Sequence, residues 1–331
     1  MSEPEPLWHG GDLGETRRLF PEAPEPRIDL STGINPVPYP LPALPASLWQ
    51  RLPAAADEEA LLMAARRAYR VPDRAGLVAA PGTQILIDLL PRLVAPGTCA
   101  VVGPTYGEHA AAWHRAGHAV REITTPGDTG DATVVVVVNP NNPDGRVVAP
   151  EALATLAAGL AHRDGLLVVD EAFADFTPAI SLVPDLPPAT LVLRSFGKTY
   201  GLAGLRLGFA IGDPVLAARL KEALGRWPVA GPALAVGALA LDDGAWLAAA
   251  RQDRSRDAAR LDRLLADIGT VVGGTLLYRL VDTPEAPAWF ARLGAAGLHV
   301  RRFAGRPHLL RFGLPGDEDG WRRLAAVVKS R

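Results

Sequence analysis

Apolar positions fall in two different rhythms along this 331-residue chain. Between residues 98 and 212 they form unbroken blocks: TCAVVG, ATVVVVVN, GLLVVDEAF, ATLVLRSFG and LRLGFAIG. A strand with one wet face alternates apolar and polar residues, so continuous Val/Leu runs predict strands covered on both faces, as in a mostly parallel sheet. Helical spacing appears around them. DEEALLMAARRAY, from Asp57, reads as a helix, and PGTQILIDLLPRLV opens another directly after a Pro-Gly turn. Beyond about residue 240 a long Arg/Ala-rich helix, WLAAARQDRSRDAARLDRLLADI, precedes TLLYRLV, LHVRRF and HLLRFGL, which predict a small antiparallel sheet backed by helices. The opening is different again. PEAPEPRIDL and INPVPYPLPALP are so dense in proline that residues 1–53 read as an irregular arm, because proline neither donates to ladders nor continues helices. The expected division is an arm at 1–53, a large α/β domain at 54–240 and a smaller α+β domain at 241–331.

Composition narrows the partners. With 48% apolar residues the chain can bury a sizeable core, and its length suggests about two domains. Thirty-four basic against 36 acidic residues give a net charge of -2, no footprint for nucleic acid or an anionic membrane. MSEPEPLWHGGDL lacks the pattern of a secretory leader, and no run reaches the roughly 18 apolar residues of a membrane span. The expectation is a cytoplasmic protein acting on a small molecule. Cys99 is the only cysteine, which excludes an internal disulfide or a thiolate metal cluster, and it reads as a buried strand residue. His109, His114 and His118 lack carboxylate or cysteine partners at a ligand spacing, and Gly117 ends their helix before His118. They read as surface or capping residues, and no metal is expected.

Chemistry concentrates at the ends of the apolar blocks. In SFGKTYGLAGLRLG, residues 195–208, Lys198 carries an amine able to form a Schiff base, Ser195 lies three residues before it and Arg206 eight after. A hydroxyl and a guanidinium that hold a phosphate near a reactive amine are what pyridoxal phosphate needs. Asp170 ends GLLVVD, where an open α/β sheet delivers side chains into a ligand crevice. A carboxylate there favours a protonated pyridine ring, although the same residue can cap a turn. Ala172 projects to the same side and leaves room for a ring. PGTQ puts Gly82, Thr83 and Gln84 at a helix start, where N–H groups suit a phosphate. NPNNPDG, residues 139–145, either ends a strand in a plain turn or presents Asn142 to a ligand. Tyr106, in GPTYGEH, either packs an interface or stacks on a ring.

These blocks, in this order, resemble fold-type I pyridoxal-phosphate enzymes of the histidinol-phosphate aminotransferase-like branch. The resemblance implies that Lys198 carries the cofactor, Arg206 and Ser195 bind its phosphate with Gly82, Thr83 and Gln84, Tyr106 stacks on the ring, Asp170 meets its nitrogen and Asn142 its phenolate. Two positions depart from the branch. Phe173 in DEAF replaces a tyrosine whose hydroxyl meets the phenolate. Leu52 replaces a tyrosine that reaches the neighbouring subunit's cofactor phosphate. The two ends of the chain, WHGGDLGETRRLF with IDLSTGINPVPYP, and LHVRRF with HLLRFGL, resemble the threonine-phosphate decarboxylases of cobalamin biosynthesis. That resemblance implies a substrate phosphate at His9, Gly10, Gly11, Asn35 and Arg301, a substrate carboxylate at Arg311, a small domain built from both chain ends, and a homodimer. Arg302, pointing oppositely in its strand, is the weaker partner for the phosphate. The expected activity is decarboxylation of L-threonine O-3-phosphate. The alternatives are a histidinol-phosphate or related aminotransferase and, in another class, a non-catalytic pyridoxal-phosphate sensor, which the short acidic arm disfavours.

Overall fold

The computed structural model describes residues 10–330, so His9 lies outside the described residues. Its strands, in chain order, are β1 (Ile28–Leu30), β2 (Gly76–Ala80), β3 (Thr98–Val102), β4 (Ala119–Ile123), β5 (Val134–Val138), β6 (Leu166–Asp170), β7 (Thr190–Ser195), β8 (Gly208–Gly212), β9 (Thr270–Thr275), β10 (Tyr278–Asp282), β11 (Leu298–Arg302) and β12 (Leu309–Gly313). The chain divides into two compact units, one of residues 38–142 and 146–248, the other of residues 1–37, 143–145 and 249–331.

The larger unit holds a seven-stranded sheet in the order β2-β8-β7-β6-β5-β3-β4. Neighbours from β7 to β4 are parallel, whereas β8 runs antiparallel to both β7 and β2. All five residues of β5, VVVVV, are buried, and successive side chains serve opposite faces. Val135 and Val137 pack in the cluster with Leu61 and Ala64 of helix Ala55–Tyr69 and Leu153 of helix Pro150–Ala161. Val134 and Val136 pack in the cluster with Leu86 of helix Thr83–Leu89, Trp113 of helix Glu108–Arg115 and Leu220 of helix Pro214–Leu224. Covered faces explain the unbroken apolar runs. The marginal strands escaped that pattern: β4 reads AVREI, and β2, GLVAA, is rich in small residues. Cys99 is buried in β3, and burial pushes its thiol up to about 12.

The smaller unit holds a five-stranded sheet, β1-β11-β12-β10-β9, antiparallel except for the β1/β11 pair. Trp289, Phe290, Phe312, Leu261 and Trp321 fill its core. The N-terminal arm carries short regular elements between irregular proline-rich stretches. Helix Leu13–Leu19 is capped by the Asp12 carboxylate, which accepts from the Gly14 N–H, and β1 pairs in register with Leu298–Val300. Sheet pairing overrode the local proline signal. The larger unit also begins earlier than residue 54: the Tyr39 N–H bonds the Tyr200 carbonyl, and the Tyr39 ring packs edge-on against Tyr200 and Trp246. It extends to residue 248 rather than 240. No single helix among the described residues is long and apolar enough to cross a membrane.

Candidate active site

Parallel strands place their carboxyl ends on one edge of a sheet, and four predicted segments follow from that edge: Tyr106 after β3, Asn142 after β5, Asp170 at the end of β6, and Ser195 with Lys198 at the end of β7. The antiparallel strands bring the rest. Ser195 pairs with Gly208 and Gly208 with Ala80, so Arg206, just before β8, and Gly82, just after β2, lie at the same edge. Gly82 takes φ +86, and a Cβ there would lie 2.4 Å from Nη2 of Arg206. The guanidinium therefore lies against a bare backbone position at the opening of helix Thr83–Leu89. A positive group beside free amides, in a cradle that any side chain would fill, fits a phosphate. Gln84 offers this cradle its backbone, because its side chain accepts from the Tyr106 hydroxyl at 3.1 Å and donates to Asp88 at 3.2 Å.

Asp170 is held from two sides. Its Oδ2 lies 2.9 Å from His109 Nε2, and its Oδ1 accepts the Ala172 N–H at 3.0 Å. Both side chains are nearly excluded from water, at 1% and 6% exposure. Such bonds fix the direction of the carboxylate. This corrects the reading of the histidines. His109 is an interior partner of Asp170, and His118 is also buried, 2.9 Å from the Pro91 carbonyl and edge-on to Trp113. The available signal for His109 was its position, three residues after Tyr106 on a helix whose next residues are alanines. Among the described residues no group of side chains has metal-ligand character.

Behind Asp170 and Ser195 sits a second assembly. Glu171 and Arg194 follow and precede them in the chain and turn to the opposite face. Arg194 Nη1 donates to Glu171 at 2.6 Å, Nη2 pairs with Asp175, and the guanidinium lies 4.5 Å from the Tyr69 ring centroid. Glu171 also accepts from the Ser181 hydroxyl and the Leu182 N–H. Burial alone would pull the Arg194 pKa down, but the charges of Asp175 and Glu171 outweigh it and raise the net value. The assembly ties the ends of β6 and β7, which carry Asp170 and Ser195. Lys198 follows in the short helix Phe196–Thr199, its Nζ 5.8 Å from the ring centroid of buried Phe173. Asn141 steadies the segment that leads to Asn142, donating to Pro104 O at 3.0 Å and accepting from Thr105 Oγ1 at 2.6 Å.

Of the described residues expected to meet substrate, Asn142 belongs to the larger unit, and Gly10, Gly11, Asn35, Arg301 and Arg311 belong to the smaller one. Arg301 and Arg311 are direct partners across β11 and β12. Arg311 is buried, donates to the Ser31 carbonyl at 2.6 Å and lies 4.9 Å from the Tyr278 ring centroid. Burial first, and the Arg301 charge second, lower its pKa to about 10, which still leaves it cationic at neutral pH. Arg302 points the other way, to Glu15 at 2.7 Å and the Phe290 ring. Gly10 and Gly11 have a packing reason: a Cβ on Gly10 would lie 2.5 Å from the Ser31 carbonyl oxygen, and the Gly11 N–H donates to Ser31 Oγ at 2.7 Å. That amide serves Ser31. Asn35 is buried, and its Oδ1 accepts from Arg254 at 3.0 Å and from the Val37 N–H at 3.1 Å.

Comparison with known proteins agrees with this architecture. The threonine-phosphate decarboxylase of Pseudomonas aeruginosa is 42% identical over 333 residues, 97% of each chain, and that of a Sinorhizobium species is 42% identical over 98% of each. The solved histidinol-phosphate aminotransferase of Sinorhizobium meliloti, a complex with pyridoxal 5'-phosphate, superposes with a TM-score of 0.78 at 20% identity, covering 100% of this chain and 98% of that one. Residues 49–327 match the aminotransferase class I and II family. The sheet order, the residues at its carboxyl edge and this match agree, and the chain belongs to the class I and II aminotransferase family.

Proposed function

We propose that this chain is a pyridoxal-phosphate-dependent decarboxylase of L-threonine O-3-phosphate, yielding CO2 and 1-amino-2-propanol O-2-phosphate, the linker precursor in cobalamin biosynthesis. The observation that carries the reading is the Arg301/Arg311 pair, suited to a substrate with two anionic groups, in a chain collinear with threonine-phosphate decarboxylases. Pyridoxal phosphate, when bound, supplies the sink for the electron pair left at the amino acid's α-carbon. Arg206, Ser195 and the backbone of Gly82, Thr83 and Gln84 would hold its phosphate, Tyr106 would cover the ring, Ala172 would leave room beneath it, and Asn142 would meet its phenolate. Asp170 would hold a proton at the ring nitrogen, and the Lys198 amine would carry the cofactor and hold the proton destined for Cα. Arg311 binds the carboxylate, while Arg301, Asn35, His9 and the Gly10–Gly11 segment serve the substrate phosphate. Which bond breaks depends on which one these anchors set perpendicular to the ring.

We also assign the protein to the cytoplasm and to a homodimer. Trp49 and Leu52, 70% and 67% exposed, and Trp227 present apolar surface on the larger unit that a second copy would cover. Sedimentation at micromolar concentration tests this, and a monomer would refute it.

Mass spectrometry of products tests the activity. Threonine phosphate is expected to give aminopropanol phosphate, whereas glutamate formed from histidinol phosphate and 2-oxoglutarate, with no CO2, would assign the chain to transamination. Borohydride reduction followed by peptide mapping is expected to place the pyridoxyl group on Lys198. Arg206→Ala should weaken cofactor retention and Arg311→Ala should mainly raise the substrate KM. Equal cofactor loss in both would mean the two arginines have been given the wrong roles.

A further inference from the structure

Lys198 rides on a helix of only four residues, Phe196–Thr199, far too short to hold itself by its own hydrogen bonds. Its direction therefore depends on what grips its ends. At the first end Ser195 pairs with Gly208, and the Phe196 N–H donates to the Leu207 carbonyl at 3.2 Å. At the second end the Tyr200 carbonyl accepts the Tyr39 N–H at 2.9 Å. Rings complete that end. Tyr200 is the middle of three nearly parallel rings, 4.3 Å and 8° from Phe196 and 5.4 Å and 14° from Trp246. Tyr39 closes the stack edge-on, 6.3 Å from Tyr200 and 5.2 Å from Trp246. Asp243 joins the outer members, because it accepts the Trp246 N–H at 2.9 Å and the Tyr39 hydroxyl at 3.4 Å. The hydroxyl contact is long for an O–H donor, so the ring and the backbone amide carry the attachment. Tyr39 stands between Pro38 and Pro40, which limit its backbone to extended forms, so little entropy is lost in holding it there.

We propose that Tyr39 is a positioning residue whose ring, set against Tyr200 and Trp246, holds the Lys198 helix so that the lysine amine meets the cofactor aldehyde from one direction. The inference rests on the reading of Lys198 as the cofactor-bearing amine. Forming the Schiff base joins the lysine nitrogen to the aldehyde carbon and expels water, so the amine must approach that carbon along a narrow path. A helix able to tilt at its second end spreads the amine over many directions. The phosphate cradle is built from Ser195 at the first end, Arg206 and the opening of helix Thr83–Leu89, so loosening the second end leaves it in place.

Mixing the cofactor-free full chain with pyridoxal 5'-phosphate, and separately with pyridoxamine 5'-phosphate, tests this. The first reports the lysine through the visible absorbance of the Schiff base. The second carries an amine in place of the aldehyde, cannot join Lys198, and reports the cradle alone. Tyr39→Ala should slow Schiff-base formation about tenfold to a hundredfold, while pyridoxamine phosphate affinity changes less than about threefold. Tyr39→Phe should react at nearly the parental rate, because the ring remains. A parental rate in Tyr39→Ala, or a pyridoxamine phosphate affinity that falls as far as the rate, would overturn the proposal. So would a Tyr39→Phe protein as slow as Tyr39→Ala, since the ring would then not be what holds the helix. Should Tyr39→Ala fail to fold, Tyr39→Leu decides, and a parental rate there refutes the role. Borohydride reduction of the parent protein that labels a lysine other than Lys198 removes the underlying reading, and the role of Tyr39 with it.

Discussion

The two units treat buried charge in opposite ways. In the larger unit the chain supplies its own partners: Asp170 meets His109 and the Ala172 amide, and Arg194 meets Glu171 and Asp175. In the smaller unit Arg301 is set directly across from Arg311, and burial together with that like charge lowers the Arg311 pKa to about 10. The first arrangement fixes geometry, because a satisfied network has one low-energy shape. The second sets a like charge beside a buried cation, which acts against it, while Asp29 and Tyr278 act in its favour. The two arrangements differ in the sign of the charge set beside the buried group.

Substitutions can break this contrast. The largest effect is expected for Arg194→Met, which leaves Glu171 and Asp175 buried without their cation. Removing one partner of such a group costs about 3 to 5 kcal/mol, so thermal and denaturant midpoints should fall sharply. A native midpoint would mean that the triad does not hold β6 and β7. Next comes His109→Ala. Depriving buried Asp170 of one partner costs about 1 to 3 kcal/mol. On the proposed placement of Asp170 at the ring nitrogen, the visible spectrum of the bound cofactor should change its pH dependence, and an unchanged titration would remove His109 from the site. The smallest stability effect has the reverse sign. Arg301→Met removes a like-charge pair worth up to about 1 kcal/mol, so the ligand-free protein should be as stable as the parent or slightly more so. The same variant should lose about tenfold to a hundredfold in kcat/KM on threonine phosphate. A destabilised Arg301→Met protein would show that the two units do not differ in this respect.

What was legible in the sequence follows the same line. SFGKTYGLAGLRLG, DEAF, NPNNPDG and PGTQ are local runs at strand ends, and the sheet needed only to bring those ends to one edge, which parallel order does. The partners that hold them are not local. His109 and Asp170 are 61 residues apart, and a histidine in a short helix carries no mark of an interior carboxylate. Arg194, Glu171 and Asp175 meet across two strands on the face away from the cofactor residues, so neither spacing nor motif announces them. The arm misled for a physical reason: β1 has three residues and is defined by pairing with β11, far along the chain, while prolines dominate its surroundings. Arg254 was hidden in a helix whose alternating charges read as a solvated face, although Arg254 itself turns inward.

The proposed activity is decarboxylation of L-threonine O-3-phosphate rather than transamination. The most direct measurement follows carboxyl-labelled threonine phosphate through the holoenzyme, counting labelled CO2 per turnover while glutamate formation from histidinol phosphate and 2-oxoglutarate is measured in parallel. Stoichiometric CO2 with negligible glutamate is expected, and a rate of CO2 release that collapses at subsaturating substrate in Arg301→Met. Efficient glutamate formation with no labelled CO2 would contradict it.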